Sequence, residues 1–192
     1  MPARPRSFVA VVKAAERALR ALRIDHVFVG GVAVLAFGEP RTTRDVDVIA
    51  SYRPQDVDPL SAEFRHEGFL ASAADLRDAL SDRTHCSLDD TRSPYRVDLA
   101  PATTPATEHA IEDRRMVRWR GMLLPIAAPE HTVVMKLRYG SEQDVLDALG
   151  ILVRQHGQLD VRRMREFALQ QRVVEDLRDL ERRAESFARS RR

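Results

Sequence analysis

Asp45-Val46-Asp47-Val48 alternates acid with valine, so an extended backbone projects both carboxylates from one side. Carboxylate oxygens held this way suit a hard divalent cation such as Mg2+. Asp45 lies fourteen positions after Gly31, the second residue of a Gly30-Gly31 pair that follows a β-rich run. Glycines at such a point let backbone N–H groups approach an anion at a helix N-terminus, an arrangement that suits phosphate. The segment is neither a G-x-G-x-x-G fingerprint nor a P-loop. A third acid, Asp98, stands isolated in the strand-like stretch Tyr95-Arg96-Val97-Asp98-Leu99-Ala100. Each feature alone has an ordinary structural reading, the glycines as a turn and the alternating acids as a solvent face. Aspartate is nevertheless disfavoured inside strands, so three strand-borne aspartates invite a metal ion as compensation.

The flanking pattern supplies elements to position these groups. Apolar residues at Phe8, Val11, Val12, Ala15, Leu19 and Leu22 recur with a helical period, predicting an amphipathic helix over 7–22 capped by Ser7. Residues 26–30 predict a strand, 32–37 a short apolar helix ending at Gly38, and 45–50 the strand that carries both aspartates. Helical patterns follow at 55–66 and 74–80, then strands at 84–88 and 95–100 joined as a hairpin through Asp89-Asp90-Thr91-Arg92-Ser93-Pro94. Residues 106–113 predict a helix, and 116–120 with 122–126 a second hairpin about Gly121. Pro129 opens a helix reaching Tyr139, Gly140 ends it, and Ser141-Glu142-Gln143-Asp144 forms a capping box for the next. Val145, Leu146, Leu149, Leu152 and Val153 are that helix's expected buried stripe, and helices at 161–171 and 173–188 complete the chain.

A length of 192 residues allows one domain with a helical appendage, and 44% apolar with 31% charged residues excludes disordered and membrane classes. The first helix holds Lys13, Glu16 and several arginines, so it lacks a signal-peptide core, and the single cysteine, Cys86, excludes internal disulfides. The expectation is a cytoplasmic protein with no membrane partner. Net charge is +2, and residues 161–192 hold ten arginines against six acids. Interleaved acids favour a solvated helix pair there over a nucleic-acid surface. His85-Cys86 lacks an orienting third group and reads as a strand with a buried cysteine, the histidines show no zinc spacing, and Phe69 and Trp119 read as core.

The order Gly30-Gly31, Gly38, Arg41, Thr43, Asp45, Asp47 and, on its own strand, Asp98 resembles the nucleotidyltransferase superfamily, which shares its catalytic fold with DNA polymerase beta. Ala128-Pro129-Glu130-His131-Thr132-Val133-Val134-Met135-Lys136-Leu137 followed by Asp144 and Asp147 is similar to the stretch after the catalytic domain in the abortive-infection-type branch, which includes toxins of toxin–antitoxin pairs. The resemblance covers about residues 8–155. Ser141 and Gln143 depart from it, because the branch often carries basic residues there; Arg138 is a substitute cation.

The resemblance implies an α/β (α+β) fold, a mixed sheet of about five strands flanked by helices, with a catalytic domain over 1–127 and a C-terminal helical lobe over 128–192. It implies transfer of a nucleoside monophosphate from a nucleoside triphosphate to a hydroxyl of tRNA, protein or a small molecule. Asp45, Asp47 and Asp98 would hold Mg2+ or Mn2+, with Asp98 also the base that takes the acceptor's proton. Gly30, Gly31, Arg41, Thr43, Arg44 and Lys136 would bind the nucleotide, Lys136 as one of only two lysines in the chain. A cognate antitoxin is the implied protein partner. Two alternatives stay open: a catalytically silent nucleotide-binding or interaction subunit, and an aminoglycoside-type small-molecule nucleotidyltransferase.

Overall fold

The computed structural model describes residues 5–190, with side chains through Phe187; Met1–Arg4 and the terminal arginines Arg191 and Arg192 lie outside the described residues. The chain runs α1 (Phe8–Ala21), β1 (His26–Phe28), α2 (Gly30–Phe37), β2 (Asp45–Ala50), a 3-10 turn (Pro54–Asp56), α3 (Val57–His66), β3 (Phe69–Leu70), α4 (Ala73–Asp82), β4 (Cys86–Asp90) and β5 (Arg96–Pro101). It continues through α5 (Pro105–Glu112), β6 (Arg115–Trp119), β7 (Met122–Ile126), α6 (Pro129–Tyr139), α7 (Glu142–Arg154), α8 (Val161–Gln171) and α9 (Val174–Ser190). Two units result: residues 1–31 with 42–126, and 32–41 with 127–192.

The first unit is built on one sheet of order β3-β4-β5-β2-β1-β7-β6. β2 runs parallel to β5 and β1 parallel to β7, while the other neighbours are antiparallel. The sheet is mixed, as the sequence predicts, with seven strands among the described residues rather than five. The strand-period alternation divides it into two faces. Phe28, Val46, Val48, Leu88, Val97 and Leu99 are buried on one, which α1 and α4 cover together with α3 packed against both. Ser7 caps α1 as expected, its Oγ accepting from the Ala10 N–H at 3.3 Å.

β4 continues two residues beyond the expected end at Leu88, because Asp90 is drawn inside. Its carboxylate accepts from Arg6 Nη1 and from Ser93 Oγ, each at 2.6 Å, which compensates the burial of an acid that sequence patterning assigns to a turn. The β6–β7 hairpin turns on Arg120 and Gly121, with φ +48° and +80°, the left-handed pair that a two-residue turn between twisted strands requires. Phe69 and Trp119 are core, at 2% and 8% exposure.

In the second unit, α2 is apolar on every side and buries Val32, Ala33 and Val34, as a helix without a polar face must. Gln155 Nε2 donates to the Phe37 carbonyl at 3.0 Å and satisfies an acceptor at the end of α2. α6 spans the expected Pro129–Tyr139 and ends on left-handed Gly140. His131 stacks on Phe167 of α8 with ring centroids 4.7 Å apart. The stripe expected on α7 is corrected. Leu146 is 57% exposed, and the buried residues are Asp147, Ala148, Leu149, Ile151 and Leu152. The helix is rotated from the purely apolar choice because Asp147 faces inward on cationic partners.

Candidate active site

The two rows of side chains on the open face of the first unit follow from strand register. Asp47 of β2 stands opposite Asp98 of β5, which stands opposite Ser87 of β4. The adjacent row is Asp45, Arg96 and Asp89. Neighbouring strands lie about 4.8 Å apart, so side chains on adjacent strands of each row are close neighbours. Ser87 Oγ donates to Asp98 Oδ1 at 2.6 Å. Arg96 Nε lies 3.0 Å from Asp45 Oδ1 and 3.3 Å from Asp98 Oδ1, bridging the two carboxylates. The charges of Asp98 and then Asp45 hold the Arg96 guanidinium above its ordinary pKa.

Asp47 points instead to the start of α2. Gly30 adopts φ +52°, and a Cβ there would lie 2.1 Å from Asp47 Oδ2; a Cβ on Gly31 would lie 2.6 Å from Thr43 Oγ1. The glycine pair is thus required by the approach of Asp47 and Thr43, as well as by the left-handed backbone at its first residue. Thr43 Oγ1 donates to the Asp45 carbonyl at 3.3 Å and ties the loop to the first aspartate. Arg44 is exposed.

The strands therefore bring Asp45, Asp47 and Asp98 to one face without closing them into a cluster. Among the described residues no three His, Cys, Asp or Glu side chains are drawn together as a metal cluster. Like charges repel, and the carboxylates lean on donors instead: Asp45 and Asp98 share Arg96, Asp98 also takes Ser87, and Asp47 faces the start of α2. The donor set still fits Mg2+ or Mn2+, since the ligands are hard oxygens and two already converge on one cationic group.

Arg41 and Lys136, the expected phosphate ligands, belong to the second unit and meet there on Asp147. Arg41 binds it through two parallel hydrogen bonds, Nε to Oδ1 at 2.8 Å and Nη2 to Oδ2 at 2.9 Å. Lys136 Nζ lies 2.6 Å from Asp144 Oδ1 and 3.0 Å from Asp147 Oδ2. Gln143 Nε2 donates to Asp147 Oδ1 at 2.9 Å, and Ser141 caps α7 while donating to Asp144 Oδ2 at 2.6 Å. Ser141 and Gln143, which depart from the basic residues of the family pattern, thus serve the two acids. Burial works to raise the Asp147 carboxyl, but hydrogen bonds from Arg41, Gln143 and Lys136 outweigh it and leave its pKa below the ordinary value. Asp144 is lowered likewise, with Lys136 and Ser141 overcoming burial.

Sequence reasoning passed over Arg96 and Ser87. Arg96 carried a signal, since it precedes Asp98 by two on the same strand and must share its face. Ser87 carried none until β4 was registered against β5. Cys86 is buried on the opposite side of β4, and burial, with the charges of Asp75 and Asp98, pushes its thiol up to about 11, which suits a packing residue rather than a nucleophile.

In fold the chain is similar to solved nucleotidyltransferase structures. The chain is similar to the antibiotic-resistance factor ANT(2'')-Ia in its solution structure, at 10% identity over 89% of this chain and 96% of that one, TM-score 0.53. It is similar also to lincomycin-bound LnuA, a lincosamide antibiotic adenylyltransferase, at 13% identity over 77% of this chain and 97% of that one, TM-score 0.51. An antigenic nucleotidyltransferase-like protein from Paracoccidioides brasiliensis matches at 16% identity over 93% of this chain and 94% of its own, TM-score 0.51. No family model matches the chain, and no curated protein matches it in sequence. At these identities the likeness is one of fold.

Proposed function

We propose that the chain is a metal-dependent nucleotidyltransferase that moves a nucleoside monophosphate from a nucleoside triphosphate to an acceptor hydroxyl and releases pyrophosphate. The observation that carries this reading is the carboxylate face: Asp47 and Asp98 in register on parallel strands, Asp45 beside them, and Asp47 packed against the glycine start of a helix. Asp45, Asp47 and Asp98 would hold Mg2+ or Mn2+, which when bound supplies neutralisation of the polyphosphate charge. Asp98 accepts the proton of the acceptor hydroxyl as its oxygen bonds to the α-phosphorus and the bond to the pyrophosphate oxygen breaks. Ser87 orients Asp98 for that task through its 2.6 Å hydrogen bond. Gly30 and Gly31 keep side-chain bulk away from the phosphates, and Thr43 fixes the loop that carries Arg44, an exposed arginine offered to them. Arg41 and Lys136, expected as phosphate ligands, are engaged within the second unit by Asp147 and Asp144.

A small-molecule hydroxyl is favoured as the acceptor. Arg162, Arg165, Arg178 and Arg182 of the C-terminal helices pair with Glu166, Glu181, Glu175 and Asp179, so much of the basic segment is neutralised within itself rather than offered to tRNA. The exposed acid Asp89 on the site face attracts a cationic acceptor. LnuA, whose fold this chain shares, is by description an antibiotic adenylyltransferase. A toxin role, with a cognate antitoxin, goes with a tRNA or protein acceptor. The test is incubation with each α-labelled nucleoside triphosphate, Mg2+ or Mn2+, and separate pools of aminoglycosides, lincosamides, tRNA and protein. Label transfer that vanishes in the Asp45→Asn/Asp47→Asn protein supports the reading, and undiminished transfer by that protein refutes it.

A further inference from the structure

Arg96 lies opposite Asp45 in the β2–β5 ladder and two residues before Asp98 on the same strand face. Both neighbours are therefore fixed by the sheet. Arg96 Nε sits between Asp45 Oδ1 and Asp98 Oδ1, at 3.0 and 3.3 Å, where two carboxylates would otherwise repel each other. We propose that Arg96 is a resident counter-cation of the acidic face, which holds Asp45 and Asp98 together until a divalent cation displaces it. The inference rests on the nucleotidyltransferase reading and adds a positioning residue to it.

The ion pairs of the two units differ in a way that favours exchange at Arg96. Asp147 is 2% exposed and is gripped by two guanidinium nitrogens of Arg41, so that pair is costly to break. The Arg96 and Asp45 side chains are 45% and 42% exposed, and Arg96 reaches both acids through a single nitrogen. Ion pairs as accessible as this hold weakly, because water and salt compete for both partners. A displaced Arg96 has solvent on one side to move into, and a bound polyphosphate gives it a new anion. Metal and nucleotide thereby assist each other: each favours the state in which Arg96 has left the two aspartates, and the coupling is reciprocal.

The test is direct Mn2+ binding without nucleotide, read from the electron paramagnetic resonance of free Mn2+, for wild type, Arg96→Gln, Arg96→Lys and Asp45→Asn/Asp47→Asn. Removing the competing charge in Arg96→Gln is expected to tighten Mn2+ about tenfold, equivalent to about 1.4 kcal/mol. Arg96→Lys keeps the charge and is expected to stay within about threefold of wild type, as the screened single-nitrogen contact implies. In the metal-free state Arg96→Gln should melt at a lower temperature than wild type, with Mn2+ restoring more of its stability than it adds to wild type. Equal or weaker Mn2+ affinity in a folded Arg96→Gln protein would sink the counter-cation proposal while leaving the nucleotidyltransferase reading intact. Absence of Mn2+ binding in wild type and Arg96→Gln, with and without nucleoside triphosphate, would overturn both.

Discussion

Gly30→Ala concentrates the argument about the site into one methyl group. Two separate costs are expected. The first is backbone: φ +52° is the left-handed region, where an L side chain costs about 1–2 kcal/mol relative to glycine. The second is steric: the new Cβ would lie 2.1 Å from Asp47 Oδ2 and 2.8 Å from Asp47 Cγ. Ordinary contact begins near 3.4 Å, so the carboxylate must retreat by more than about 1 Å, into a strained rotamer that costs roughly another 1 kcal/mol. Urea denaturation of wild type, Gly30→Ala, Asp47→Ala and the double variant separates the two costs. Gly30→Ala should lose about 2–3 kcal/mol in the wild-type background and about 1–2 in the Asp47→Ala background, where only the backbone cost and a looser Cβ contact persist. The same displacement should lower nucleotide transfer by about a hundredfold, since a shift of this size misplaces a reacting constellation. A stability cost that is identical in both backgrounds would refute the claim that Asp47 is what requires glycine at position 30.

Asp98→Asn should reduce turnover by roughly 10²–10⁴ while equilibrium dialysis still detects nucleotide binding; unchanged turnover would remove Asp98 from the base role. Asp147→Ala leaves Arg41, Lys136 and Gln143 facing a lost buried acceptor and should cost about 3 kcal/mol in urea, whereas a loss below about 1 would show the cluster to be solvent-screened. Asp144 and Asp147 have folded pKa values below those of the unfolded chain, so the unfolded state binds more protons as pH drops below about 4. The stability they contribute is full above that pH and lost as pH falls through their folded values. Asp144→Asn/Asp147→Asn should therefore flatten the acid limb of the stability curve, and an unchanged limb would contradict the direction of both shifts. Changing Arg162, Arg163, Arg165 and Arg172 to Gln should leave the salt dependence of tRNA binding unaltered; a log–log slope reduced by about 0.7–0.9 per lost phosphate contact would bring the tRNA acceptor back.

What the sequence disclosed about the site was local. Val46 and Val48 alternate with Asp45 and Asp47, so the strand and its two faces were legible, and Gly30-Gly31 marked a close approach. The partners in that approach, Asp47 and Thr43, come from residues beyond the helix and were not legible. α6 was legible because Pro129 and Gly140 bracket it. α7 misled for a physical reason: an apolar count favours Leu146 inward, while the bidentate pair with Arg41, far back in the chain, turns Asp147 in instead. β3, only two residues long, shows no period at all. Arg96 went unnoticed because composition treats an exposed strand arginine as solvated, and its value here depends on the register that sets Asp45 opposite it.

The register between β2 and β5 has a consequence for when the protein becomes competent. The two strands run parallel, and α3, β3, α4 and β4 all intervene in sequence between them, so their pairing is a long-range event that closes a large loop. A slip of one residue would send Asp98 into the layer occupied by Val97 and Leu99 and bring those apolar side chains to the open face. Asp47 and Asp98 therefore become neighbours only in chains that have completed this pairing in the correct alignment. A nascent or partly folded chain carries every one of these side chains yet does not bring them side by side on one face.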